Sequence, residues 1–131
     1  MSDRLYVADV DGCGRGVFTR RFIPKGGIIE TCPVIVCTAR EYRLLKQTVL
    51  INYVFEFPTR FRAGKCRRYT GTCIPLGFAM LYNHSNEPNA TWWACPKQRL
   101  IKFKALRDIQ ADEQITYNYG WSEYELSKLK G

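Results

Sequence analysis

The chain has 131 residues, with twenty Lys and Arg against twelve Asp and Glu, so its formal net charge is +8 with the single histidine neutral. That length suits one domain, since domains commonly run to about 100–150 residues, and 46% hydrophobic residues supply a core, which excludes a disordered chain. No run of about 18 apolar residues occurs, so no transmembrane helix is expected, and the acid-bearing start MSDRLYVADVDG lacks the order of a secretory signal.

In chain order, Leu5–Val10 alternates weakly and stops at the turn signal Asp11-Gly12, which predicts a strand. Val17–Arg20 reads as a second strand, and Ile23-Pro24-Lys25-Gly26-Gly27 as a turn leading into a β-branched strand over Ile28–Cys37. Thr38 and Glu41 have capping-box spacing, and Tyr42, Leu45 and Val49 recur helically, so a short helix is expected over Ala39–Thr48. Asn52–Phe57 reads as extended. Pro58–Cys73 carries Arg60, Arg62, Lys65, Arg67 and Arg68 among glycines and predicts a basic surface loop or hairpin. Asn89–Cys95, the turn Pro96-Lys97-Gln98 and Arg99–Ala105 form a further hairpin, with Ile101, Phe103 and Ala105 on one face. Gln114–Tyr117 is the last predicted strand, and Ser122 with Glu125 predicts a short closing helix over 122–131. One internal echo is visible: Ile23-x-x-Gly26-x-x-Ile29 and Ile109-x-x-Asp112-x-x-Ile115 share a period, too few copies for a repeat protein. The class is mostly β, in one domain.

Six cysteines, at 13, 32, 37, 66, 73 and 95, include no C-x2-C pair, so no zinc site is expected. They read as reduced, mostly buried thiols behaving as small hydrophobes.

Three stretches carry unusual residue types. Gly12-Cys13-Gly14-Arg15-Gly16 places glycines at alternate positions, which permits positive φ and close approach of a ligand to the backbone. It is not the dinucleotide fingerprint, because no helical pattern follows. Leu81-Tyr82-Asn83-His84-Ser85-Asn86-Glu87-Pro88-Asn89 is polar after an apolar run; its Asn and Ser side chains either hold turns or, at Asn83, face a ligand. His84 has no visible carboxylate partner and reads as architectural. Ile115-Thr116-Tyr117-Asn118-Tyr119-Gly120-Trp121 alternates aromatics as a packed strand does, and Gly120 permits a change of direction that leaves the Tyr119 phenol at a cleft.

In this order and separation, GRGVFT, LYNHSNEPN and DEQITYNYG closely resemble the SET domain, the protein-lysine methyltransferase module, over about residues 5–121. The short length is similar to that of stand-alone viral and prokaryotic members. The resemblance implies short strands in several small sheets, a few short helices and a C-terminal segment threaded in a pseudoknot-like way. It implies S-adenosylmethionine as methyl donor, with Gly14, Arg15, Gly16, Tyr82, Asn83, His84 and Trp121 on the cofactor side. It also implies Tyr119, which matches the catalytic tyrosine, and Tyr117 as the catalytic residues, with Tyr53, Trp92 and Tyr117 lining the lysine channel. The chain departs from the family in lacking a cysteine after Tyr119, which removes the zinc-binding segment, and in placing Asp112 where the family's turn has glycine.

The resemblance implies a methyltransferase acting on lysine in a basic, histone or histone-like, protein. Two further readings stand beside it: a catalytically silent SET-like module that binds chromatin or another partner, and a basic nucleic-acid-binding β domain. Five acids and no Lys or Arg lie between Asp108 and Glu125, either as a lip for a basic peptide or as an ordinary turn and helix start. The Arg60–Arg68 segment suits nucleic-acid contact. No membrane partner is expected, a homodimer is left open, and the expected location is intracellular: nuclear in a eukaryotic setting and otherwise cytoplasmic.

Overall fold

A computed structural model describes residues 3–62 and 65–120, the side chains of 58–70 excepted. The first two strands, Leu5–Val10 (β1) and Gly14–Thr19 (β2), pair antiparallel from Leu5 against Thr19 to Val10 against Gly14. Gly14 and Gly16 therefore lie inside a strand, where a bare turn was expected, while Gly12 stays in the turn, and β2 begins three residues earlier than the apolar pattern alone suggests. Ile28–Cys37 (β3) and the helix start at Ala39 (α1, Ala39–Leu45) fall where the sequence placed them. Thr38 caps α1: its hydroxyl accepts from the Glu41 N–H at 3.1 Å while the Glu41 carboxylate accepts from the Thr38 N–H at 2.8 Å. The helix ends at Leu45, short of the expected Thr48. The Thr48 hydroxyl donates to the Leu45 carbonyl and accepts from the Leu50 N–H, which closes one helix and caps a 3₁₀ turn over Val49–Asn52. The expected extended start at Asn52 is corrected for the same reason, and the strand opens only at Phe55.

Phe55–Arg62 (β4) and Lys65–Pro75 (β5) form a hairpin, which resolves the choice left open for the basic segment. Asn83–His84 (β6), Ala90–Cys95 (β7), Leu100–Ala105 (β8) and Gln114–Tyr117 (β9) complete the strands. The strand order is β1-β2-β9-β6 in one sheet and β4-β5-β3-β8-β7 in the other. In the smaller sheet β9 is antiparallel to β2 and parallel to β6, so the last strand is inserted between two segments that precede it in sequence. The predicted helix over 122–131 and Trp121 lie outside the described residues.

The described chain divides into two compact units. One is drawn from Met1–Thr31, Leu81–Trp92 and Lys102–Gly131, the other from Cys32–Met80 and Trp93–Ile101. The core of the first contains Val17, Ile23, Ile29, Tyr82, Phe103, Ile109 and Ile115; Cys32, Phe55, Phe57, Cys73 and Ile101 are buried in the second. Burial pushes the Cys73 thiol up to about 12, as a thiol used for packing requires. Cys13, Cys32, Cys37, Cys73 and Cys95 are all free thiols. No helix among the described residues is long and apolar enough to cross a membrane.

The internal echo proves to be a paired device within the first unit. Ile23 and Ile109 exchange two backbone hydrogen bonds of 2.8 Å each. Gly26 N–H donates to the Ala105 carbonyl and Ala105 N–H to that of Gly27, while Asp112 N–H donates to the Thr19 carbonyl and Thr19 N–H to that of Glu113. The two turns thus receive the ends of β8 and β2 in the same way, and both central residues are left-handed, with φ of 81° at Gly26 and 63° at Asp112. Asp112 keeps the turn because aspartate tolerates this region better than most residues, and its carboxylate also accepts from the Tyr6 hydroxyl at 3.0 Å. Asp112→Ala is expected to destabilise the chain by about 1–2 kcal/mol, while Asp112→Gly stays near the parent. Chemical denaturation of both variants checks this, and equal losses in the two would show that the Tyr6 contact outweighs the backbone conformation.

Candidate active site

The functional side chains are assembled by β9 and its neighbours in the first unit. β9 places Thr116 opposite Asn83 and Tyr117 opposite His84, so the polar stretch after Leu81 and the aromatic stretch after Gln114 become adjacent although more than thirty residues separate them.

The Asn83 amide donates to the Arg15 carbonyl at 3.0 Å and to Gln114 Oε1 at 2.8 Å, and its Oδ1 has no hydrogen-bond partner among the described residues. Gly16 is the residue that permits this geometry. A Cβ there would lie 2.5 Å from Gln114 Oε1, 2.8 Å from a Val10 methyl and 2.9 Å from Asn83 Nδ2. Gly14 serves differently: its φ is 78° and the space beside its Cα is open. Gly14 and Arg15 therefore form a polar edge of exposed backbone beside one oriented amide, Asn83, and this arrangement fits a ligand with mixed polar groups. Among the described residues no group of three or more His, Cys, Asp or Glu side chains is placed to hold a metal ion.

β9 itself ends at Tyr117, so Tyr119 is not on the regular strand assumed from the alternation. Its position is set instead by His84 and Tyr82. The Tyr119 N–H donates to His84 Nδ1 at 3.0 Å, which requires the other ring nitrogen to carry the proton, and Nε2 faces Asn86 Oδ1 at 3.0 Å. His84 thus supports the Tyr119 backbone from one ring nitrogen and meets Asn86 with the other. The Tyr119 hydroxyl donates to the Tyr82 carbonyl at 2.6 Å. Its one proton is committed there.

The rings converge even without a continuous strand. Tyr117 and Tyr119 have centroids 4.8 Å apart, Tyr117 and Phe103 5.7 Å, and Tyr82 and Phe103 4.6 Å. Burial, and then the neighbouring Tyr119, raises the Tyr117 phenol above its ordinary value, so it stays protonated at physiological pH. Tyr82 turns its ring into the core, where its hydroxyl donates to the Glu30 carboxylate at 2.7 Å. Trp92 is half-buried on β7, and Tyr53 is exposed directly after the 3₁₀ turn of the second unit.

Two contributors were missed in the sequence. Phe103 was assigned to the core face of its strand without a link to the tyrosines; the alternation was the signal, but its partners are remote in sequence. Asn89 is 2% exposed and pins β9: its amide donates to the Gln114 carbonyl and to Glu113, and its Oδ1 accepts from the Thr116 N–H. The acidic stretch is largely engaged with the protein itself. Asp108 accepts from the Lys25 N–H, Asp112 from Tyr6, and Glu113 from Arg107, whose hydrogen bond holds the Glu113 carboxyl below the usual carboxylate range. Glu123 and Glu125 lie outside the described residues.

The comparisons agree with this arrangement. The family profile described as the SET domain matches residues 14–120. A Schizosaccharomyces pombe protein named as a histone-lysine N-methyltransferase specific for H3 lysine-37 is 30% identical over 126 residues, 94% of this chain and 80% of its own length. A Plasmodium falciparum crystal structure, provisionally assigned as a histone methyltransferase, superposes with a TM-score of 0.66 and 26% identity over 95% of this chain and 99% of its own. The Neurospora SET-domain protein DIM-5, a histone lysine methyltransferase, shares the fold with a TM-score of 0.69 at 17% identity, over 90% of this chain and 52% of its own. With most of its length matched by the family profile, and with the glycine strand, Asn83 and Tyr119 gathered around one inserted strand, the chain belongs to the SET-domain family.

Proposed function

We propose that the protein is an S-adenosylmethionine-dependent lysine methyltransferase acting on a basic, histone or histone-like, protein. The observation that carries the reading is the Tyr119 hydroxyl, fixed by the Tyr82 carbonyl at 2.6 Å and packed beside the Tyr117 ring. Bound S-adenosylmethionine supplies an electrophilic methyl group on a sulfonium. Gly14 and Arg15 offer it exposed backbone, the buried Gly16 lets Asn83 approach the strand, and Asn83 offers Oδ1; His84 and Tyr82 act through backbone and support.

The target amine must be neutral to act as a nucleophile, yet free lysine titrates near 10.4. Burial of the ammonium among Tyr117, Tyr119 and the channel residue Trp92 lowers that value, and water carries the proton away. The Tyr119 oxygen, its own proton already donated to Tyr82, accepts from the amine and aligns its lone pair. Alignment of this kind accounts for much of the rate in a displacement between two bound groups. Tyr119 is not a strong base in this scheme, because deprotonating it would remove a donor from Tyr82.

Incubation with S-adenosylmethionine and a panel of histones and basic peptides, followed by mass spectrometry, tests the reading. Methylated lysine is the expected product. Calorimetric S-adenosylmethionine binding without transfer to any substrate would leave the silent-module reading in its place. An action on histones implies an intracellular site of action, nuclear where the cell has a nucleus.

Product state follows from Tyr117. Its protonated hydroxyl can hold a water beside the amine, in the volume that a second methyl needs, so mainly monomethylation with some dimethylation is expected. Tyr117→Phe is expected to shift products to higher states. Time-resolved mass spectrometry of product peptides reads the shift, and efficient trimethylation by the unmodified protein would contradict it.

A further inference from the structure

The charge of the chain is not shared between its two units. Residues 32–80 and 93–101 hold ten Lys and Arg against only Glu41 and Glu56, so the second unit carries the whole +8; the rest of the chain has ten of each sign. Every one of those ten cations sits on the β4–β5 hairpin or on a short element packed against it. Arg60 and Arg62 are on β4, and Lys65, Arg67 and Arg68 on β5. Arg40 and Arg43 on α1 and Lys46 at its C-cap belong to a helix that lies against β5, while Lys97 and Arg99 belong to the 3₁₀ turn Pro96–Gln98 and its C-cap, which lies against β4. Arg40, Arg43, Lys46, Lys97 and Arg99 are exposed, and none of them forms an ion pair among the described residues. One of the two acids, Glu41, is committed to capping α1.

Edge strands often carry a lysine or two to prevent strand-to-strand aggregation. That need does not account for five cations among the nine residues from Arg60 to Arg68, on both strands of the ribbon. Register shifts between Pro58 and Arg60 and again between Arg60 and Arg62 bend the ribbon away from regular pairing, as bulges do where a strand is re-aimed. A two-stranded ribbon is also a shape that the DNA major groove admits.

We propose that the second unit, through the β4–β5 hairpin with α1 and the Pro96–Gln98 turn, binds double-stranded DNA by its phosphates and without sequence preference. The site is separate from the residues assigned to methyl transfer and does not depend on that assignment. Its consequence, if both hold, is that the enzyme is concentrated where basic proteins are bound to DNA.

The test uses the full chain, no cofactor, and fluorescence anisotropy with a labelled duplex of about 30 base pairs at about 50 mM salt. Micromolar binding is expected to unrelated sequences alike, weakening steeply with salt as counterions are released. The variant R62Q/K65Q/R67Q/R68Q is expected to bind at least about tenfold more weakly and to lose about three to four from the slope of log K against log salt. R40Q/R43Q/K97Q changes only exposed positions, keeps the fold by circular dichroism, and is expected to flatten the slope as well. R21Q/K25Q, outside the basic unit, should match the parent. No binding at low salt, an R21Q/K25Q loss equal to that of the hairpin variant, or polyglutamate competing as well as duplex DNA at equal charge would each overturn the proposal.

Discussion

Tyr119→Phe is expected to lower turnover about a hundredfold to a thousandfold, the loss typical when one positioned polar group is removed from a reacting centre. The ring survives the change, and with it the packing against Tyr117 at 4.8 Å and His84 at 5.2 Å. The Tyr119 N–H still donates to His84 Nδ1, so the backbone around the site is retained. What disappears is the oxygen whose proton is held by the Tyr82 carbonyl and which the proposed reaction needs to align the amine. The Tyr82 carbonyl also loses its donor, which adds a small stability cost of about 1 kcal/mol. S-adenosylmethionine affinity is expected to stay within about twofold, because interactions made mainly in the transition state act on turnover and leave binding largely unchanged. Single-turnover kinetics with calorimetry separates the two effects. Turnover within a few-fold of the parent would remove Tyr119 from the reaction.

The largest effect on stability is expected at Asn89. Its side chain serves Gln114 and Thr116, the backbone positions on either side of Ile115 in β9, with bonds of 2.7 and 2.9 Å, and reaches Glu113 at 3.3 Å. In Asn89→Ala the Gln114 carbonyl and the Thr116 N–H both lose their partner at a position 2% exposed to solvent. An interior polar group left unpaired costs about 1–3 kcal/mol, so the combined loss is about 2–4 kcal/mol. For a chain of this size that corresponds to a Tm lower by about 10 °C. Affinity for S-adenosylmethionine should fall too, because β9 holds Gln114, and Gln114 accepts the Asn83 amide. Differential scanning calorimetry reads the first effect and a binding titration the second. An unchanged Tm would mean that water takes over both backbone groups without penalty.

Much of this protein was legible in the residues alone. The β-rich class, the strands at Leu5–Val10, Ile28–Cys37 and Gln114–Tyr117, the capping box at Thr38 and the buried face of Ile101, Phe103 and Ala105 all follow from patterns two to four residues long, and local sterics and hydrogen bonds decide those. The family was legible as well, because the glycine strand, the Asn83-His84 stretch and the Tyr117-x-Tyr119 ending recur together in a fixed order. Asp112 could be accepted in its turn on conformational grounds before any coordinates, and its φ of 63° agrees.

Only the tertiary structure decided what those residues do to one another. Thr48 turned a single expected helix into a helix and a 3₁₀ turn by bonding on both sides of itself, a choice between two local hydrogen-bond patterns of similar strength. The pairing of the two echoed turns, the pin at Asn89 and the support of Tyr119 by His84 and Tyr82 join positions between 24 and 86 residues apart. Side-chain periodicity carries no information at such separations. Those contacts exist because β9 is inserted between β2 and β6, and that insertion is selected by the burial of Ile115 and Tyr117 together with hydrogen bonds from both neighbours, a free-energy balance of the whole unit that no short window of sequence contains.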